Sequence, residues 1–448
     1  MRIPARRVVG IHVKAAVEGA AACAFLAASF LVPSNRCLGQ DSDEDKAPIS
    51  LAVWLYGFAG ESQYLADLAG SYKRTYGRPV ELYTHEWSES RVKLEQWTGR
   101  LSRYAPDMVV VRDVDLPLVV GRAASLEQRF PTRFLARFYP GVLAQGRVEG
   151  VLLSLPWMVG PQALYYRADV FRERGLAPPR TPDELLSVAQ EVADPPALYG
   201  FGLPGRPDGG GPDLFLTTFR ALNGVVFDER GRLAIAAEPG RAALQLWSDL
   251  VGSQATQPEV LTWTQGELAD LFLAGRLAML IERPWLLREL WRVPEGIEVC
   301  VARVPKLDGA SDHFRADMVV ILDTARDTDA CVHFLCYALG HDQQRVLAHL
   351  GVPSVRRDVA DELPSDDRWA PFKTALHDGR GPAPTAWAEI ARIIDRLLYL
   401  SVSGRATIDE AIQSIDVELI GEPEVQPPTS PAPATTDEPP PHQRAADD

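Results

Sequence analysis

Residues 154–169 read SLPWMVGPQALYYRAD. A plain core strand has no use for Pro156, Trp157, Gly160 and Pro161 within six positions, because proline withholds a ladder donor and both proline and glycine punctuate regular structure. The stretch reads as an extended segment that enters a bend and holds a flat aromatic there. It is the candidate first crossing of the chain from one folded block into another.

The block before it alternates strand and helix. ISLAVWLY (49–56) reads as a strand, loosened afterwards by Gly57 and Gly60, and Tyr64, Leu65, Leu68 and Tyr72 share one helical face that stops at Gly77. PVELYTH (79–85) is a second strand and APDMVVVRD (105–113) a third, apolar enough for a sheet covered on both faces. That order means a doubly wound α/β lobe, where ligands sit beyond the carboxyl ends of strands: here Trp54, Tyr56-Gly57-Phe58 and Arg112-Asp113-Val114-Asp115.

Beyond the crossing the pattern turns helical. Thr181 with Glu184 makes a capping box, helices are expected near 213–222, 238–251 and 266–274, and LAMLIE (277–282) is a strand. IEVCVARVP and ADMVVIL are later strands, the chain is almost wholly helical from about 327, and Thr407 with Glu410 caps the last helix. The expected division is 49–155 plus about 305–326 in one lobe, and about 156–304 plus 327–420 in the other.

The ends differ from this body. Residues 1–39 carry a basic head (Arg2, Arg6, Arg7, Lys14) and the apolar run 19–32, too short to span a bilayer, and read as a secretory signal. Cys37 is a weak candidate for lipid attachment. Residues 421–448, rich in Pro, Thr, Ala and acid, lack the apolar groups to offset ordering entropy and read as a disordered tail. With 448 residues, a net charge of -14 and no concentrated basic face, the chain is no candidate for nucleic acid. Cys300, Cys331 and Cys336 form neither a disulfide framework nor a metal spacing.

Catalytic patterns are missing: no G-x-S-x-G, no H-E-x-x-H, no phosphate-cradling loop and no dinucleotide glycines. Neither a cofactor nor a metal is expected. What stands out is indole at bends: Trp157 after Pro156, Trp285 after Pro284, and Trp387 in GPAPTAWAEI. Such rings stack on the apolar C–H faces of sugars. Trp97, Trp247 and Trp291 lie in helical patterns and are expected in the core.

These residues resemble a family. LPWMVGPQALYYRADVF with GLAPPRTPDELL, FLAGRLAMLIERPWLLREL and SGRATIDEAIQSIDVEL are similar, in order and spacing, to three segments of the maltose-binding type of extracellular solute-binding protein, which serves ABC importers. The resemblance covers about 49–420. It implies a periplasmic-binding-protein-like α/β fold, two lobes with a hinge and an interlobe ligand cleft, without catalysis. It further implies a carbohydrate ligand, importer permease subunits as partners, an exported location and a monomer.

By the matching motifs, Trp285 is implied as a stacking ring, with Glu282 in the same block. Trp387 resembles a sugar-facing aromatic, Trp157 falls in the crossing, either facing the cleft or packing the seam, and Asp113 and Asp115 fall where polar contacts are made. Arg315 and Asp317 depart from the family's glycine-rich turn and imply either a charged ligand or an ion pair at the hinge. The readings left open are a sensing module that docks on a membrane sensor, and a non-sugar solute such as a polyamine or phosphorylated polyol.

Overall fold

The computed structural model describes residues 46–415, apart from positions 59, 100–101, 208–209, 361–366 and 383–385. The expected signal and tail lie outside the described residues. Nine strands make up the two main sheets: β1 (Ile49–Trp54), β2 (Val80–His85), β3 (Met108–Arg112), β4 (Ser154–Pro161), β5 (Ala163–Arg167), β6 (Tyr199–Phe201), β7 (Leu277–Glu282), β8 (Val299–Ala302) and β9 (Phe314–Ile321). The first sheet has the order β2-β1-β3-β9-β4, the second β8-β5-β7-β6.

In the first sheet β1 runs parallel to β2 and β3, while β9 returns antiparallel between β3 and β4. All six residues of β1 and the first four of β3 are buried, as strands covered on both faces must be. The helix Glu61–Tyr76 buries Tyr64, Leu65, Leu68 and Tyr72 against it and stops at Gly77, whose φ of 71° lets its N–H reach the Lys73 carbonyl at 2.9 Å. Around the second sheet, the helices Gly211–Ala221, Glu238–Gly252 and Trp387–Val402 pack Phe215, Phe219, Trp247 and Ile394 into a separate core. The Thr407–Glu410 capping box forms in full; Thr181 accepts from the Glu184 N–H, while the Glu184 carboxylate turns to the Arg180 N–H.

The crossing differs from the sequence expectation. Residues 156–161 stay in the first sheet, with Pro161 opposite Phe314, and the switch to the second sheet takes one residue, Gln162. Opposite β9, Asp317 faces Met158 and Met318 faces Pro156, so Trp157 is the extra residue of a β-bulge. A bulge re-aims its side chain. Trp157, 3% exposed, is packed in the first core, not in the cleft.

The helices Thr328–Ala338 and His341–His349, expected with the second lobe, also belong to the first core. Tyr72 explains why: its ring meets Phe334 edge-on at 5.1 Å and its hydroxyl sits 2.8 Å from His333 Nδ1. Later the chain crosses again through the helix Ala370–Asp378, with Leu376 in the first core and Phe372 under the second sheet.

Candidate functional site

Between the two sheets lies a cleft of about 670 Å³. The first lobe contributes Tyr56, Phe58 and Trp87 beyond β1 and β2, Arg112 and Asp113 at the end of β3, and Arg315 and Asp317 from β9. Facing them, the turn after β7 contributes Arg283, Trp285, Arg288 and Trp291. The walls therefore combine ring faces with charged hydrogen-bonding groups.

Trp285 is 36% exposed, and its Nε1 donates to Glu282 Oε1 at 3.1 Å. Glu282 itself is buried behind the ring, where burial raises its pKa, and it anchors the indole without lining the cleft. Trp87 is the ring on the opposite wall. It stacks on buried Trp54 (centroids 5.8 Å, 28°), meets Tyr56 edge-on at 5.3 Å, and carries Arg112 over its face at 5.7 Å. Trp54 is thus a second row behind the cleft wall.

Arg112 Nε donates to Asp115 Oδ2 at 2.6 Å, so Asp115 is buried in an ion pair and does not line the cleft. Asp113 is fully buried at the cleft edge, bound by Arg315 Nε at 2.9 Å, Arg315 Nη2 at 2.6 Å and the Ala316 N–H at 3.0 Å. The Tyr56 hydroxyl donates to Asp317. Burial, with Asp113 nearby, pushes the Asp317 carboxyl up to about 7, against the pull of Tyr56 and Arg315.

Arg315 also reaches across the lobes. Its Nη1 stands 3.4 Å from Asp213 Oδ1 on the helix Gly211–Ala221, and its guanidinium lies over the Trp387 ring at 5.1 Å. The ring face of Trp387 proposed for sugar is taken by that cation, and the rest packs on the second core. Asp213 also binds Arg283 Nη2, His313 Nε2 at 2.9 Å and Gln162 Nε2 at 3.3 Å. Burial works to raise the Asp213 pKa, yet Arg283, His313 and Arg315 outweigh it and hold it well below the usual carboxylate range. Gly160 keeps this knot closed: a Cβ there would stand 2.8 Å from Arg283 Cδ.

Of the residues singled out in the sequence, Tyr56, Asp113, Trp285, Arg315 and Asp317 come together on the cleft; Trp54, Asp115, Trp157, Glu282 and Trp387 do not line it. Trp291, expected in the core, is 80% exposed on the cleft's edge. Sequence reasoning missed Trp87, Arg283 and Arg288. Trp87 had a signal, since it follows the carboxyl end of β2, where such sheets place ligands. A second hollow, of about 1150 Å³, adjoins the crossing segment 302–311, with Arg180, Arg303 and Lys306 on its walls. It has no indole and lies away from those strand ends, so the smaller cleft is the stronger site.

A family model described as bacterial extracellular solute-binding protein matches residues 98–345, more than half of the chain. A binding protein of Brucella abortus is 23% identical over 339 residues, 71% of this chain and 81% of its own. An ABC transporter-binding protein of Deinococcus radiodurans is 26% identical over 206 residues, 44% of this chain and 49% of its own. Among solved structures, the cyclic alpha-maltosyl-1,6-maltose binding protein of Arthrobacter globiformis matches with a TM-score of 0.70 at 21% identity, covering 82% of this chain and 96% of that one. The sugar-binding protein MalE of Xanthomonas citri matches with a TM-score of 0.70 at 19% identity, over 82% and 94%. Among the described residues no helix is long and apolar enough to cross a membrane. The two sheets, the cleft between them and the family match converge: this chain belongs to the bacterial extracellular solute-binding proteins, the non-enzymatic solute-binding components of ABC importers.

Proposed function

We propose that this protein captures a carbohydrate in the cleft between its lobes and presents it to the permease of an ABC importer. The observation that carries the reading is the indole of Trp285, fixed by Glu282 and set across from Tyr56 and Trp87 over about 670 Å³, room for an oligosaccharide of a few units. Asp317, Arg112 and Arg283 supply hydrogen-bonding groups around the rings' apolar faces. Likeness in fold to maltose- and oligosaccharide-binding proteins supports the same choice.

Contacts from both walls give the mechanism. A ligand that touches Trp285 on one lobe and Asp317 on the other binds the closed arrangement more tightly than the open one, and shifts the population by that difference. The single-residue crossing at Gln162, the segment 303–313 and the helix Ala370–Asp378 connect the lobes, and closure would be taken up there. The permease then reads closure. The protein works outside the cytoplasm as a single chain.

A thermal-shift screen over neutral and charged mono- and oligosaccharides tests this. A saccharide at a hundred times its Kd adds about 2.7 kcal/mol of stability, a readable rise in Tm. A rise with polyamines or amino acids and none with any saccharide would overturn the proposal.

A further inference from the structure

Among the described residues, each arginine that lines the cleft pairs with at least one carboxylate, except Arg288. Arg112 pairs with Asp115, Arg283 with Asp213, and Arg315 with Asp113 and Asp213. Arg288, which also lines the cleft, has no carboxylate within ion-pair distance among the described residues, and its Nη1 is out of water with no hydrogen-bond partner. A buried, unsatisfied guanidinium N–H costs free energy that a partner would recover.

Its surroundings hold it in that condition. The guanidinium lies on the Phe58 ring at 4.8 Å, a contact that attracts the cation but gives its N–H groups no hydrogen-bond acceptor. Glu61, the carboxylate that attracts Arg288 most, is engaged elsewhere, accepting the N–H groups of Tyr56 at 3.0 Å and Gly57 at 2.8 Å. Glu289 turns to Arg292, 3.7 Å away. Among the described residues, then, neighbouring carboxylates act on this guanidinium only at a distance, and none forms an ion pair with it.

We propose that the ligand does: the cleft takes an acidic saccharide, and its carboxylate, or an equivalent anionic group such as a sulfate or phosphate ester, pairs with Arg288. The inference rests on the carbohydrate reading above and narrows it. Arg is suited to the role, because its planar fork meets two oxygens of an acid at once. Phe58 belongs to the first lobe and Arg288 to the second, so an anion seated there is gripped where the lobes meet and favours closure.

The test offers each of a set of short oligosaccharides in three forms: the neutral sugar, the uronic acid and the uronate methyl ester, with sulfated and phosphorylated sugars as separate arms. Binding is measured by calorimetry at pH 7.5 for the wild type, Arg288→Gln and Arg288→Lys. The expected result is an anionic form bound about tenfold to a hundredfold more tightly than its neutral counterpart, the range of one charge-assisted pair. Arg288→Gln is expected to bring that ratio to about one, and Arg288→Lys to keep part of it. The ratio compares ligands on one protein, so it stands even where a variant folds less well. Equal affinity for charged and neutral forms, or a preference that survives Arg288→Gln, overturns this inference and leaves the carbohydrate reading in place; no binding by any form overturns both.

Discussion

Asp213 ties groups of both lobes together, and Asp213→Asn tests whether its charge holds the lobes in register. The residue is buried, with Arg283, His313, Arg315 and Gln162 converging on it from the second-sheet turn, the first sheet and the crossing. Removing one partner of a buried ion pair costs about 3–5 kcal/mol. The lower end applies here, because Arg315 keeps its bidentate bond to Asp113 and the asparagine oxygen still accepts. With an unfolding entropy of about 2.1 cal/mol/K per residue over about 370 folded residues, or about 0.8 kcal/mol/K, a loss of about 3 to 4 kcal/mol lowers Tm by about 4–5 °C.

The pH dependence follows from the depressed pKa. A carboxylate held below its unfolded value of about 3.9 contributes its stability in full above that pH, and loses it as pH falls toward the folded pKa. Differential scanning calorimetry of wild type and variant is therefore expected to show a constant gap from pH 8 to about 5 that narrows below about 4. Equal Tm values at pH 7, or a gap that widens on acidification, would refute the argument.

Other perturbations separate core from cleft. Trp157→Ala is expected to cost about 3–5 kcal/mol of stability, as for other buried aromatics, and to leave ligand affinity unchanged in folded protein; lost binding with an unaltered Tm would return Trp157 to the cleft. Asp317 is raised to about 7, so wild-type stability from this group is fullest below its unfolded pKa of about 3.9 and declines as pH rises toward 7. Asp317→Asn is expected to remove that decline and to be the more stable protein at pH 8, by an amount of order 1 kcal/mol because a group at the cleft surface is partly screened. Tm curves from pH 4 to 8 with a constant offset between the two proteins would contradict this.

Much of the fold was legible because local pattern and tertiary role agree. LAMLIE is a strand over its whole expected length, 277–282, since an apolar run bounded by Arg276 and by Arg283-Pro284 has no other place to go than a doubly covered sheet. Trp285 was legible for a related reason: proline at the strand's end begins a turn, and the next side chain meets the opening. Trp157 was not, because the bulge that turns it inward is set by pairing with β9, more than 150 residues away. Trp387 was obscured in the same way by Arg315, whose cation covers the ring from the other lobe. Trp291 sits on a helical period, yet its turn Pro284–Arg292 winds as a 3₁₀-helix along the cleft, where that period does not mark a buried face. Helical periodicity likewise says nothing of which core a helix joins, and the segment 328–349 joins the first because Phe334 and Tyr337 meet the Tyr72 ring there.

The most direct measurement is a calorimetric titration of the saccharide found in the thermal-shift screen into the wild type and Trp285→Ala. A stacking ring at the centre of a binding cleft is worth about 2 kcal/mol or more, so the variant is expected to bind at least about thirtyfold more weakly while its Tm without ligand stays within about 1 °C of the wild type, Trp285 being partly exposed. Unchanged affinity would mean that no sugar lies against this indole, and that the cleft is not where the ligand sits.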